Sequence, residues 1–188
     1  GPPRREIVAR CSVFLILKQA YVPHLNLKIN AVEIFNGVLW VPVSLDTKVI
    51  DTKKIGKGQV WLGHIELYPD KYEKVRLTFS PEATITSQGK ESQLILEKLA
   101  IEVFFPGTFN LQNETSESIF LSWDVEGSLS GSNQGALAIS MTTSHLSPIT
   151  SNQIYVACPD INTIYVVRED KKWVDNSFFV PVRPIYIV

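Results

Sequence analysis

The chain has 188 residues, 45% of them hydrophobic and 20% charged; a globular domain of this length buries roughly 70% of its unfolded surface and needs no disulfide staples to hold a core. Eighteen basic against nineteen acidic residues leave a net charge of -1, which excludes a nucleic-acid binder driven by phosphate neutralisation. No apolar run approaches the roughly 20 residues that a membrane-spanning helix needs, so no integral membrane segment is expected.

Residues 1–10, with Arg4, Arg5 and Arg10, read as a flexible and locally basic tail, and Gly1-Pro2 fits a tag remnant or a trimmed terminus equally. No small-residue cleavage site follows Ser12 to Leu17, SVFLIL, so the start is not read as a signal peptide. Cys11 to Leu17 is a nearly continuous apolar run, as expected for a strand buried on both faces. After Pro23, Leu25, Leu27 and Ile29 alternate with Asn26, Lys28 and Asn30, which predicts a half-buried strand running towards Ile34. Asn36-Gly37 predicts a hairpin turn, because both residues tolerate positive φ. Val38 to Leu45 returns, with Pro42 marking an edge.

The lysine-rich stretch Asp46 to Gly58 reads as a loop anchored by Ile50 and Ile55. Val60 to Leu67 and Tyr72 to Phe79 are expected to form a hairpin about Pro69-Asp70, with Val75, Leu77 and Phe79 on the buried face and Lys74, Arg76 and Thr78 in water. Pro81 to Ser92 reads as a polar connection, Leu94 to Phe105 as one or two strands, and Pro106-Gly107 as a turn. Ile119, Leu121, Trp123 and Val125 alternate strictly and give the best-patterned strand. EGSLSGSNQG, from Glu126 to Gly135, reads as a flexible loop. Leu137, Ile139 and Met141 form a strand, and Ser144 to Asn152 a boundary. Three short apolar runs close the chain: Ile154 to Ala157, Ile164 to Val167 and Ile185 to Val188.

Together these patterns predict an all-β fold, a β-sandwich of about ten strands with immunoglobulin- or transthyretin-like character. Its expected extent is residues 11–148, with residues 149–188 as a short β segment packed on or extending it.

Cys11 and Cys158 are either two small buried thiols or a disulfide between an early and a late strand; such a long closed loop gives roughly 4–5 kcal/mol in the chain-entropy model. Neither has metal-like spacing to another ligand. His24, His64 and His145 are isolated in sequence. A nucleophile system drawn from Ser122 or Ser147, His145 and Asp124 lacks a G-x-S-x-G elbow, so the chain is not read as an enzyme. Asp46 with Asp51, or Asp124 with Glu126, lacks the spacing of a calcium loop, and no metal or cofactor is expected. Of the tryptophans, Trp40, Trp61, Trp123 and Trp173, Trp123 is assigned to the core. Trp173 and Trp61, with Tyr186, are the candidate ligand or partner surface. Asn113-Glu114-Thr115 fits a glycosylation acceptor at Asn113.

Several of these stretches occur together elsewhere. CSVFLIL, LNLKINAVEI, GVLWVPVSL, LYPDKYEKVRL and IFLSWDVEGSL, in this order, make the block from Cys11 to Met141 similar to a domain family of unknown function found in prokaryotic surface lipoproteins (family four-three-eight-two). The chain departs from that family at KQAYVP, where an acidic proline-containing motif is usual, and at Asp70, where glycine is usual. The tail from Ile154 to Val188 resembles one YVTN-type β-propeller repeat, and one repeat does not close a propeller. The resemblance implies a non-catalytic, extracellular or cell-surface module with a structural or adhesive role. Two alternatives stand beside it. One is a self-assembling fibre or pilus subunit whose terminal strand, Val8 to Leu17 or Phe178 to Val188, completes a neighbour's sheet. The other is a glycan or small-ligand binder using Trp173 or Trp61.

Overall fold

A computed structural model describes residues 8–110, 116–130, 136–143, 153–169 and 171–180. The first half of the chain forms β1 (Ala9–Leu17), β2 (His24–Phe35), β3 (Trp40–Pro42), β4 (Ser44–Leu45), β5 (Val49–Asp51), α1 (Thr52–Ile55), β6 (Gln59–Leu67) and β7 (Lys71–Phe79). Then come β8 (Ala83–Ser87), β9 (Lys90–Leu96), β10 (Ala100–Asn110), β11 (Ser116–Trp123), α2 (Val125–Ser130), β12 (Ala136–Leu137) and β13 (Met141–Thr143). β14 (Gln153–Cys158), a 3-10 turn at Pro159–Ile161, β15 (Thr163–Arg168) and β16 (Trp173–Phe179) complete it.

The fold is an all-β sandwich. One sheet runs β13-β11-β1-β6-β4; the opposing sheet runs β10-β7-β2-β8-β9-β12, with β3 and β5 also paired to β2. A third, three-stranded sheet runs β14-β15-β16. β1 shows why three layers are needed. Cys11, Val13, Leu15 and Leu17 enter the sandwich core beside Leu27, Ile29 and Val75. Ser12, Phe14 and Ile16 point the other way and are buried as well. On that side Tyr165 of β15 meets both Ser12 and the edge of the Phe14 ring. The unbroken apolar run is thus a strand between two layers, and its parallel pairing with β11 suits that setting.

β2 solves a phase problem. Leu25, Leu27 and Ile29 face the core, and so do Val32 and Ile34, although the step from 29 to 32 breaks the period of two. A bulge against β7 between Ile29 and Ala31 absorbs the extra residue. Each large side chain so buried contributes roughly 1.5–3 kcal/mol.

The expected hairpin of Val60–Leu67 with Tyr72–Phe79 does not form. β6 lies between β1 and β4, whereas β7 lies between β2 and β10 in the opposing sheet. Tyr68-Pro69-Asp70 is therefore an arch between layers. Tyr72 fixes it: its ring is buried in the core, and its hydroxyl donates to the Tyr68 carbonyl at 2.7 Å, the tyrosine-corner arrangement. Burial, with the Asp70 carboxylate second, pushes the Tyr72 phenol up to about 12. β3 and β4 make a second crossing, through buried Val43, whose N–H donates to the Val32 carbonyl. There β4 approaches so closely that a Cβ on Gly63 would collide with the Ser44 carbonyl oxygen.

Local readings differ in kind. Asn36 to Leu39 is a four-residue loop in which only Gly37 has positive φ, and the Asn36 side chain accepts from the Val38 and Leu39 N–H groups. The Asp46–Gly58 loop contains β5 and α1, because Asp51 accepts from the Lys53 and Lys54 N–H groups and caps a helical turn. Pro81 to Ser92 holds the β8–β9 hairpin, turned at Gln88-Gly89 with both residues at positive φ. Pro106-Gly107 does not turn the chain but forms a bulge inside β10. The first part of EGSLSGSNQG belongs to α2, and the strand expected across Leu137–Met141 splits into β12 and β13, which join different sheets. Ile185 to Val188 lies outside the described residues; β16 supplies the third strand of the last sheet.

Replacing Tyr72 by Phe keeps the ring and removes the corner bond, so urea unfolding is expected to show a loss of about 1–2 kcal/mol. Gly63→Ala forces β4 off β6 and is expected to cost roughly 2 kcal/mol or more in the same measurement.

Candidate functional site

The most heavily built feature outside the core is the seam between the third sheet and the sandwich. β1 and β11 present small hydroxyl residues outward, and β15 and β16 answer them. Ser12 Oγ lies 2.7 Å from the Tyr165 hydroxyl, Ser116 Oγ 3.0 Å from Thr163 Oγ1, and Ser118 Oγ 3.2 Å from Ser177 Oγ. Ser177 Oγ also donates to the Ser116 carbonyl. Gln59 uses both ends of its amide, accepting from the Val174 N–H at 2.9 Å and donating to the Val174 carbonyl at 3.3 Å. Side chains this short let the layers approach while leaving these buried hydroxyls partnered. Burial raises the Tyr165 phenol above its usual value, and the Ser12 bond opposes that only in part.

Trp173 belongs to this seam. Its indole N–H donates to the Lys57 carbonyl at 2.9 Å and Lys171 Nζ sits 4.9 Å from its ring, so it fastens a layer and is only half exposed. Trp61 is 39% exposed, donates to the Gly63 carbonyl and lies beside the His64 ring. Trp123 is fully buried and donates to Ser128 Oγ. Tyr186, Asn113, His145 and Ser147 lie outside the described residues. The Cys11–Cys158 bridge is not formed: both thiols are free, Cys11 facing the sandwich core while Cys158 belongs to the sheet on the opposite side of β1. Burial pushes both thiols up, with Glu117 adding to it at Cys11 and Asp160 at Cys158.

The carboxylates are occupied locally. Asp46 lies 3.2 Å from His64 Nδ1, and Asp51 lies 2.9 Å from His24 Nε2 while capping α1. Asp124 accepts from the Gly127 N–H and from Gln19, which hold its carboxyl below the usual value. Among the described residues no group of three or more His, Cys, Asp and Glu stands where it would hold a metal ion.

Two surface features have no counterpart in the sequence reading. On the outer face of the larger sheet, pairing aligns Phe35, Lys74 and Phe104 in one row and Glu33, Arg76 and Glu102 in the next. Lys74 Nζ lies between 5.2 and 5.4 Å from the Phe35, Trp40 and Phe104 rings and 3.0 Å from Glu102. Arg76 stacks 4.1 Å from the Trp40 ring and donates twice to Glu33. Lys74 and Arg76, expected simply in water, are thus held under aromatic rings. The signal was Trp40 two residues from Pro42 on an edge strand, opposite Phe35. A groove of about 380 Å³ lies where Val41, Ser44, Arg10 and His64 face Ile161 and Thr163.

Comparison of the chain with family models, with curated proteins and with solved structures finds no match.

Tyr165→Phe removes one seam bond and is expected to speed hydrogen exchange in β14–β16 while leaving β2 and β7 unchanged, at a cost of about 1 kcal/mol. Alkaline titration gives a second check. Tyr72 and Tyr165 hold their protons longer in the fold than in the unfolded chain, so stability is present below pH of about 10 and falls as pH rises beyond it. Tyr72→Phe should flatten that fall.

Proposed function

We propose that the chain is a non-catalytic, extracytoplasmic module with a structural or adhesive role at a prokaryotic cell surface. The observation that carries this reading is the seam. Ser12, Ser116, Ser118, Thr163, Tyr165 and Ser177, the hydroxyls placed between the layers, bond to one another, so they brace a three-layer body; Ser12 and Thr163 also line the groove of about 380 Å³. Burial raises both free thiols above their ordinary value, and His24 and His64 each sit against a carboxylate. Such a body resists deformation, which suits a load-bearing or presenting role. The cell-surface setting rests on the resemblance of Cys11 to Met141 to the surface-lipoprotein domain family.

Antibodies against the purified chain are expected to label intact source cells without permeabilisation, and the purified chain is expected to leave ester, glycoside and phosphate substrates unturned. Labelling that requires permeabilisation would overturn the location. Turnover that copurifies with the chain would overturn the non-catalytic reading.

A further inference from the structure

The groove of about 380 Å³ between the third sheet and the β3–β4 crossing holds a charge that the fold leaves incompletely paired. Pairing of β1 with β6 sets Arg10 opposite Glu66 and Ser12 opposite His64, and these two rows form its floor. Val41 and Pro42 of β3 wall it on one side, and Ile161 of the 3-10 turn with Thr163 of β15 on the other. The volume lies at the lower end of the roughly 300–1,000 Å³ of small-molecule sites.

Most polar side chains there are already engaged. Ser12 bonds to Tyr165, Thr163 to Ser116 and the Ile161 carbonyl, and His64 Nδ1 lies 3.2 Å from Asp46. Arg10 differs. Its side chain is 22% exposed and its guanidinium lies 5.4 Å from the centre of the Phe179 ring. Nε is withdrawn from water and has no hydrogen-bond partner among the described residues. Nη2, which shares the side edge of the fork with Nε, lies 3.5 Å from Glu66 Oε1, well beyond the roughly 2.7–2.9 Å of a charge-assisted hydrogen bond. A guanidinium cannot shed its proton, and a donor left unpaired away from water is costly. Two parallel N–H groups on one edge fit the two oxygens of a carboxylate. Glu66 meets that edge with one oxygen, and its side chain is 57% exposed, so it is free to turn into water when another carboxylate takes the edge.

We propose that this groove binds a small monocarboxylic acid with an apolar body, whose carboxylate accepts from Nε and Nη2 of Arg10 in place of Glu66. The charges select the ligand. Arg10 is the only Lys or Arg among the described residues lining the groove. One negative charge is balanced there, whereas a phosphate dianion beside Glu66 is not. Val41, Pro42 and Ile161 suit an apolar body, and the hydroxyls bound within the seam leave the polar recognition to Arg10. The site goes beyond the structural role proposed above and does not depend on where the chain works.

Isothermal titration of the full chain with phenylpropionate at neutral pH is expected to show one-to-one binding, with a Kd on the order of 0.1–1 mM for a ligand so small. Phenylpropionamide and inorganic phosphate should each bind at least about tenfold more weakly. Arg10→Gln should weaken phenylpropionate to the same extent, while Lys90→Gln, in the β8–β9 hairpin, leaves it intact. Because Arg10→Gln also removes the contact with Phe179, a second variant covers a folding failure. Glu66→Gln takes away the competing carboxylate and should tighten binding about threefold. Amide NMR shifts during the titration should centre on Arg10, His64 and Thr163. Absence of binding at millimolar concentrations, equal affinity for the amide or for phosphate, shifts centred elsewhere, or unchanged affinity in a folded Arg10→Gln or in Glu66→Gln overturns the proposal.

Discussion

The constraint on which the structure depends is that β1 has no solvent face. Its odd-numbered residues fill the sandwich, and on the other side Ser12, Phe14 and Ile16 are also withdrawn from water, with Arg10 half-buried. Without the third sheet Phe14 would lose the Tyr165 ring packed against it, and with it part of the roughly 1.5–3 kcal/mol that burying such a side chain contributes. The third sheet is therefore a requirement set by a nine-residue strand near the beginning of the chain and met by strands close to its end. Parallel pairing of β1 with β11 fits the same logic, since strands in that arrangement are ordinarily covered on both faces.

The crossings between the two main sheets rest on single residues whose chemistry suits them. At β6–β7 the chain leaves one layer and enters the other, and Tyr72 places a buried ring below the arch and a hydroxyl on its backbone. At β3–β4 Val43 fills the core between the layers while Gly63 yields the space that β4 needs. Because these ties are local, the sandwich does not rely on a covalent bridge, and Cys11 can remain one more small apolar side chain.

Strand identity was legible because alternation reports which side of a strand is buried. Leu25, Leu27 and Ile29, and again Ile119, Leu121 and Trp123, lie where the period of two puts them. Strand partnership was not legible. LYPDKYEKVRLTF looks the same whether its turn closes a hairpin or arches between sheets, since both require a polar turn between alternating runs. What separates them is a hydroxyl bond from Tyr72 to a carbonyl four residues earlier, a long-range consequence of packing. The short elements were hidden for another reason. β5, α1 and β8 are polar or half-buried segments whose order comes from pairing with β2 and from the Asp51 cap, not from a hydrophobic period. The seam was hidden most completely. Isolated serines read as loop composition until the partner strand supplies Tyr165, Thr163 and Ser177. For the same reason Trp173 looked like a free platform, although a carbonyl over a hundred residues away holds its indole.

The core and the seam hold the molecule in different ways. The core is apolar, non-directional and tolerant of small shifts. The seam consists of hydroxyl pairs that bond only at one relative placement of the sheets, each adding about 1 kcal/mol. Burial thus supplies most of the stability, and the seam selects one docking of the third layer. That docking leaves β14 beyond the cover. Ile154 and Val156 lie opposite Val167 and Tyr165, on the face that Tyr165 turns towards the sandwich, yet both remain over two-fifths exposed.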